Sequence, residues 1–531
     1  MAVDFNIDIH CHPSGKPYMS GRSNPRHTPF ESYDNEVQSW LLSRLSKQLE
    51  KISEVRLGTQ SNFDNLHDGK VRVIIASLTP VERAFLVCNL KPDSFINDNL
   101  KSLVSESQAP WEDTLRSKVV NALTGFDIDD IDFAKKSMQN YFHDGLVPEY
   151  NYITKFHNEQ NQAQDYRVKF VKNYQAIEDA INADDTTICI ILSIEGAHTL
   201  SSQVPNMAFL RRDQLRNHTD DPDDFTTLIE YVNNIETMKK WDFVPLFISL
   251  NHHCWNGLGG QAQSLIKLIG TIVSQTEGLN EGLKGLGEEV IDLLLKTTNG
   301  PRILIDIKHM SPRCRKDFYA LIKTKYWSKN DKFPLICSHT GVVSKRRTLD
   351  ALIAQDDVAE LLNSTNYLHE NSINLCEEDI LIIAETNGLI GIQLDEKRVA
   401  GNKIIEVIKK NKQLGSDDLR KQYVKVLFAN LFEVVKTVGT SKGWDLLSIG
   451  SDYDGLINHL DFYPTAGEMP VLKNDMLAFL NDPEEISQPG FNYTVPLPEI
   501  KRLMFDLTAD DIIEKIFAGN AMTFLKNNFN R

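Results

Sequence analysis

Near its start the chain reads DIHCHPS, with His10 and His12 one residue apart behind an apolar run. On an extended strand, residues i and i+2 share a face, so two imidazoles at this spacing can aim at one point. A divalent metal is what such a pair would hold. Similar punctuation recurs downstream: SIEGAH carries Glu195, NHHCWN carries His252 and His253, KHMSP carries His309, SHTGV carries His339, and SDYDG carries Asp452 and Asp454. Taken singly, each has a plainer explanation. An isolated HxH is commonly incidental, and a histidine behind a strand is commonly a hydrogen-bonded core residue. SDYDG has the composition of a turn, and it echoes part of a calcium loop without the spacing of an EF-hand. Together, imidazole and carboxylate are the donors of a catalytic zinc-type centre. A carboxylate such as Glu195 can give one oxygen to each of two ions, and a bound water can then reach a pKa of about 7. A further carboxylate, for which Asp452 is well placed, would hold and pass a proton, completing a hydrolase.

These residues need a scaffold that brings them to one place. Eight short β-rich runs can be found: 5–9, 71–78, 187–194, 243–250, 302–307, 333–338, 388–394 and 445–450. They are nearly continuous apolar stretches alternating with helix-like segments, the pattern of a parallel sheet covered on both faces. Eight of them predict an α/β chain folded as a (β/α)8 TIM-type barrel with large insertions, with a doubly wound open sheet as the alternative. The chemistry-bearing residues then fall at C-terminal strand ends, where barrel enzymes build their sites. Residues 1–531 read as a single metallohydrolase barrel. About 110 residues separate the second and third runs, too many for one crossover helix, so about 85–165 reads as a helical insertion. Helical periodicity is expected both in 102–127 and in YRVKFVKNYQAIEDAINADD, residues 166–185. The Pro/Ser/Gly-rich stretch 13–30 reads as a long loop after the first strand, either a substrate-contacting lid or a plain surface excursion.

Composition narrows the function classes. The formal net charge is −16, which argues against a nucleic-acid backbone or an anionic membrane as main partner. No run approaches the roughly 20 apolar residues of a membrane span. Neither a signal peptide at the N-terminus nor a hydrophobic lipid-anchor tail at the C-terminus is visible. Seven scattered cysteines, mostly inside apolar segments, read as reduced core thiols of a cytoplasmic protein.

The linked motifs resemble the membrane (renal) dipeptidase family of the metal-dependent amidohydrolase superfamily. SIEGAH is similar to that family's bridging-glutamate segment, and GLKGLGEEVIDLLLKTTNGPRILIDIKHMS to its helix, strand and metal-histidine block. PLICSHTGV followed by KRR resembles its second metal-histidine block with a downstream arginine. LSIGSDYDG resembles its last-strand aspartate motif, and LTADDIIEKIFAGNAMTFLK its closing helix. The resemblance implies two divalent ions, with zinc the default and manganese or cobalt fitting the same ligands. It implies that His10 and His12 bind the first, that Glu195 bridges, and that His309 and His339 bind the second. It gives Asp452 the role of acid/base and His252 that of polarising the scissile carbonyl, with His253 a rival. Arg347 would hold the substrate's carboxylate, with Arg346 the adjacent alternative.

One departure stands out. The family carries His-x-Asp on its first strand, and this chain carries His-x-His, the form common in the wider superfamily. One negative charge is lost beside the first metal, which puts dipeptide specificity in question more than hydrolysis. The expected function is hydrolysis of a small amide, a dipeptide or an N-acyl amino acid, by a metal-bridging hydroxide. Deaminase, lactonase or esterase chemistry on the same site is the alternative, followed by a non-catalytic binding barrel. The insertions are expected either to reshape the pocket or to build a homo-oligomer contact.

Overall fold

The apolar runs become strands, each paired in parallel with the next. In chain order they are β1 (Asn6–Cys11), β2 (Val71–Leu78), β3 (Ile188–Glu195), β4 (Phe247–Ser249), β5 (Leu304–Asp306), β6 (Ile336–Thr340), β7 (Leu389–Ile392) and β8 (Leu447–Ile449). Strand order follows chain order from β1 to β8. The ring closes where the segment after β8 meets β1: Asp452 N–H donates to His10 O at 2.9 Å, and His12 N–H donates to Tyr453 O at 2.9 Å. The chain is therefore a (β/α)8 barrel, and the open-sheet alternative is excluded. This computed structural model describes residues 4–20, 27–32, 58–82, 121, 124, 126–137, 140–201, 222–265, 273, 275–345, 347–354, 365–410 and 415–530.

Every residue of the eight strands is buried, so side chains on both faces are covered, which is why the runs are apolar without alternation. Helices supply the outer cover. Pro312–Lys325 begins on Ser311, whose side chain accepts from Cys314 N–H, with Pro312 at the first helical position. Ser416–Val438, the helix before β8, ends at Gly439 in the left-handed region with φ 72°.

The connection between β2 and β3 corrects one expectation. Residues Tyr166–Phe170 form a strand, not the start of a helix, and pair in parallel with Ile188–Ile190 of β3. Their burial alternates, with Tyr166, Val168 and Phe170 inward and Arg167 exposed, a period of two inside a stretch whose wider pattern looked helical. The helix starts later, at Tyr174, where Asn173 caps Ala176 N–H. Of the expected insertion 85–165, much of the first half lies outside the described residues. The remainder contains helices Ile128–Ser137 and Val147–Thr154. Residues 21–26 of the expected loop also lie outside. The six described cysteines are buried and unpaired; Cys88 lies outside the described residues. Among the described residues no helix is long and apolar enough to cross a membrane.

Candidate metal centre

Because the strands are parallel, their C-terminal ends open on one face, and the segments leaving them carry the polar residues. Glu195 is the last residue of β3, His10 lies within β1 and His339 within β6; His12, His252, His309 and Asp452 sit just beyond their strands. His309 and Asp452 have φ of 66° and 62°, in the left-handed region that non-glycine residues seldom occupy. Such backbone is held only where its surroundings fix it, and here it bends each chain so that the side chain faces the barrel axis. Gly196, with φ 90°, follows Glu195; a Cβ there would lie 2.4 Å from the His198 ring and 2.9 Å from His252 Cβ.

The Glu195 carboxylate is the hub. Its Oε1 lies 3.0 Å from His309 Nε2, 3.5 Å from His339 Nε2 and 3.7 Å from His10 Nε2. Its Oε2 lies 3.2 Å from His12 Nε2 and 3.6 Å from His252 Nε2. Asp452 Oδ1 is 3.3 Å from His12 Nε2 and 3.7 Å from His10 Nε2. All seven side chains are buried. Donors about 2.1 Å from an ion at tetrahedral angles stand about 3.4 Å apart, the spacing found here. His10, His12, Glu195 and Asp452 form one such group, and Glu195, His252 and His309 another. His10 Nε2 and His12 Nε2 lie 3.2 Å apart, two ring nitrogens facing one another that a shared cation or proton would reconcile. The donor set fits divalent ions.

Outer partners hold the rings. His12 Nδ1 is 3.2 Å from Thr79 Oγ1, and His339 Nδ1 is 2.9 Å from Ser338 Oγ. Fixing one ring nitrogen in this way sets which nitrogen faces a metal. Beneath lie two carboxylates that sequence reading passed over. Asp8 accepts from His10 N–H and Ser451 N–H, and Asp306 accepts from the Ser249 and Ser338 hydroxyls and the Ser338 and Lys308 N–H groups. Their signal was available: each is the lone acid in an apolar strand, in IDIH and IDIKH.

Electrostatics follow from burial and crowding. Burial works to raise the Glu195 carboxyl, but the imidazoles around it, His252 foremost and then His10, hold it well below the usual carboxylate range. Burial keeps His252, His253 and His339 neutral, helped by neighbouring imidazoles. His12 is the exception: burial opposes its charge, yet Asp452 and Glu195 raise it to about 10.

The structure separates the remaining candidates. His252 Nε2 faces Glu195, while His253 turns its Nδ1 to Ser264 Oγ at 2.7 Å. Asp452 faces the cluster, whereas Asp454 accepts from Lys16 and from the Gln60 and Ser61 N–H groups. Arg347 is not brought to the cluster. Its guanidinium is 59% exposed and pairs with Glu377 at 3.0 Å, because the chain beyond β6 carries it to the surface. Arg346 lies outside the described residues. Three buried residues with no part in the sequence reading do line the pocket: Lys308, Gln393 and Arg398. Gln393 Nε2 donates to Asp452 Oδ2 at 2.6 Å, and as a polar residue in the run GLIGIQL it was findable. Glu82, also missed, accepts from Cys254 N–H at 2.9 Å and places Oε2 3.4 Å from His252 Nδ1.

No family model matches the sequence, and no curated protein matches it either. Among solved structures the chain is similar to a dipeptidase described as a metallopeptidase of family M19, at 10% identity and a TM-score of 0.43, covering 100% of both chains. It is similar to the probable dipeptidase PvdM from Pseudomonas aeruginosa, at 12% identity and a TM-score of 0.41, over 91% of this chain and 98% of that one. An amidohydrolase from Pseudomonas aeruginosa matches at 12% identity and a TM-score of 0.40, over 88% of this chain and 92% of the other.

Proposed function

We propose that the chain is a metal-dependent, dipeptidase-like hydrolase of small amides. The observation that carries this is the buried carboxylate hub: Glu195 Oε1 faces His309, His339 and His10, and its Oε2 faces His12 and His252. His10, His12 and Glu195 would hold a first ion, and Glu195, His309 and His339 a second. Two such ions supply Lewis acidity and a water whose pKa is lowered to about 7. Zinc suits this donor set.

Around that centre the chain's own residues have separate work. Asp452 keeps Oδ1 toward the cluster while Gln393 holds Oδ2, so the carboxylate is oriented to take a proton and deliver it to the leaving amine. His252, kept neutral by burial, presents Nε2 to the oxygen of a scissile carbonyl. Glu82 Oε2 lies 3.4 Å behind its Nδ1, and burial raises that carboxyl to about 8; a proton held there would be directed at Nδ1 and leave the ring's own proton on Nε2, facing the carbonyl. Buried, unpaired cysteines support a reducing, cytoplasmic setting.

Elemental analysis after reconstitution should give two equivalents of metal per chain, and a dipeptide panel should show turnover. Asp452→Asn should keep the second metal and lower kcat by about 10²- to 10⁴-fold. Turnover unchanged in that variant would remove the proton-transfer role. A chain that takes up no metal would overturn the whole reading.

A further inference from the structure

Two pockets open from the cluster, and Glu195, His252 and His253 line both. One is apolar on its outer side, with Pro80, Val81, Phe126 and Leu456. The other is cationic, with Lys308, Lys397 and Arg398. Arg398 is only 7% exposed, and its Nη2 donates to Ser264 O at 2.5 Å. Its Nη1 is buried and makes no hydrogen bond. Lys308, 1% exposed, has its ammonium 3.4 Å from Gln393 Oε1, a long contact for so buried a charge. The one acid in this pocket outside the cluster, Asp395, gives Arg398 part of its counter-charge, while its Oδ1 accepts from the Lys397 and Asn458 N–H groups. Buried cationic donors left without a hydrogen-bond acceptor are costly, and an anion entering this pocket would answer them.

We propose that Arg398, assisted by Lys308, is the subsite that takes the free carboxylate of the substrate's leaving amino acid. This rests on the amide-hydrolase reading above. A guanidinium offers parallel N–H groups to both carboxylate oxygens, and the ammonium adds a second charge-assisted bond. An amide laid across the cluster then lies in one direction only, its acyl half in the apolar pocket and its carboxylate on Arg398. A neutral ester or a C-terminal amide would leave the buried donors unanswered, a defect that polar sites reject strongly.

The test uses the metal-loaded full chain and alanyl-alanine, in L,L and L,D forms, against the corresponding C-terminal amides. The wild type should prefer the acid by about 100-fold or more in kcat/KM. Arg398→Met should abolish that preference by raising KM for the acid while leaving the amide nearly unchanged. Arg398→Lys should restore part of it, and Arg347→Ala should leave it intact. Equal losses on acid and amide in Arg398→Met, or a collapse of the preference in Arg347→Ala, would overturn the proposal. Calorimetry with N-acetyl-L-alanine and its amide reads the subsite without turnover. Acid-selective binding lost in Arg398→Met supports the subsite even if no dipeptide is cleaved, an outcome that would count against the hydrolase reading alone. Dipeptide turnover with no acid preference would sink the subsite and spare the hydrolase. Should Arg398→Met fold poorly, Lys308→Met must raise KM for the acid selectively; no selective change would also overturn the proposal.

Discussion

At position 12 the chain has an imidazole where the family it resembles has a carboxylate, and the structure shows what surrounds the change. His12 Nε2 stands 3.2 Å from both His10 Nε2 and Glu195 Oε2 and 3.3 Å from Asp452 Oδ1. Although burial opposes it, the two carboxylates push the imidazole to about 10, so without metal the ring is protonated at neutral pH. A metal must displace that proton, and its apparent affinity should therefore rise with pH up to about 10. His12→Asp removes the proton and adds a negative charge. We expect first-metal affinity to rise about tenfold or more and its dependence between pH 6 and 8 to flatten, read by competition with a chelator. An unchanged pH slope would mean that His12 is not a ligand. The clustered histidines and carboxylates were legible because strand periodicity dictates where their side chains point. Arg398 was not, since nothing in DEKRVA separates a buried guanidinium from a solvated one.

Among the elements, β4, β5 and β6 are locked together beneath the site by Asp306. It takes the Ser249 hydroxyl at 2.7 Å, the Ser338 hydroxyl at 2.6 Å and two backbone N–H groups at 3.0 Å. The same Ser338 oxygen lies 2.9 Å from His339 Nδ1, so the strand register and the ring orientation share one support. Asp306→Ala should cost about 3–5 kcal/mol in urea unfolding of the metal-free chain, because four buried donors lose their acceptor. Second-metal affinity should fall about 10- to 100-fold as His339 loses its support. Wild-type metal affinity in a destabilised variant would confine Asp306 to stability alone. All eight strands were readable from apolar runs, since burial on both faces leaves a continuous signal. Their ends were less so: the run 243–250 becomes the three-residue strand Phe247–Ser249. What the runs could not reveal was the added strand Tyr166–Phe170, whose two-residue alternation is too short to stand out from the helical pattern after it. Nor could KRR reveal that Arg347 leaves the barrel mouth, which depends on the path of the loop and not on spacing.

Across the whole molecule, the segment between β2 and β3 is tied to the barrel mouth by one buried acid. Glu149, in the helix Val147–Thr154, accepts from the Ser14 hydroxyl at 2.6 Å and from Thr79 N–H at 3.1 Å. Thr79 in turn contacts His12, so this added segment props the first metal-ligand pair. Burial raises the Glu149 carboxyl from 4.5 to about 7 against the opposing pull of Ser14, and burial likewise raises Glu396 to about 7. Between these pH values each acid keeps in the folded chain a proton that the unfolded chain has released, so its own contribution to stability falls as pH rises. Each group contributes a loss of about 3 kcal/mol, complete above its folded value. His252, His253 and His339, kept neutral by burial, contribute in the opposite sense as pH rises through the free imidazole value, so the Glu149 share is read as a difference between variant and wild type. In Glu149→Gln the side chain stays neutral, with its carbonyl able to accept from Thr79 N–H and its amide able to donate to Ser14. That variant should match the wild type at pH 5 and exceed it by about 3 kcal/mol at pH 8 in urea unfolding of the metal-free chain. A difference that does not change with pH would mean that Glu149 ionises freely where it stands, and that the segment is held to the barrel by contacts other than this acid.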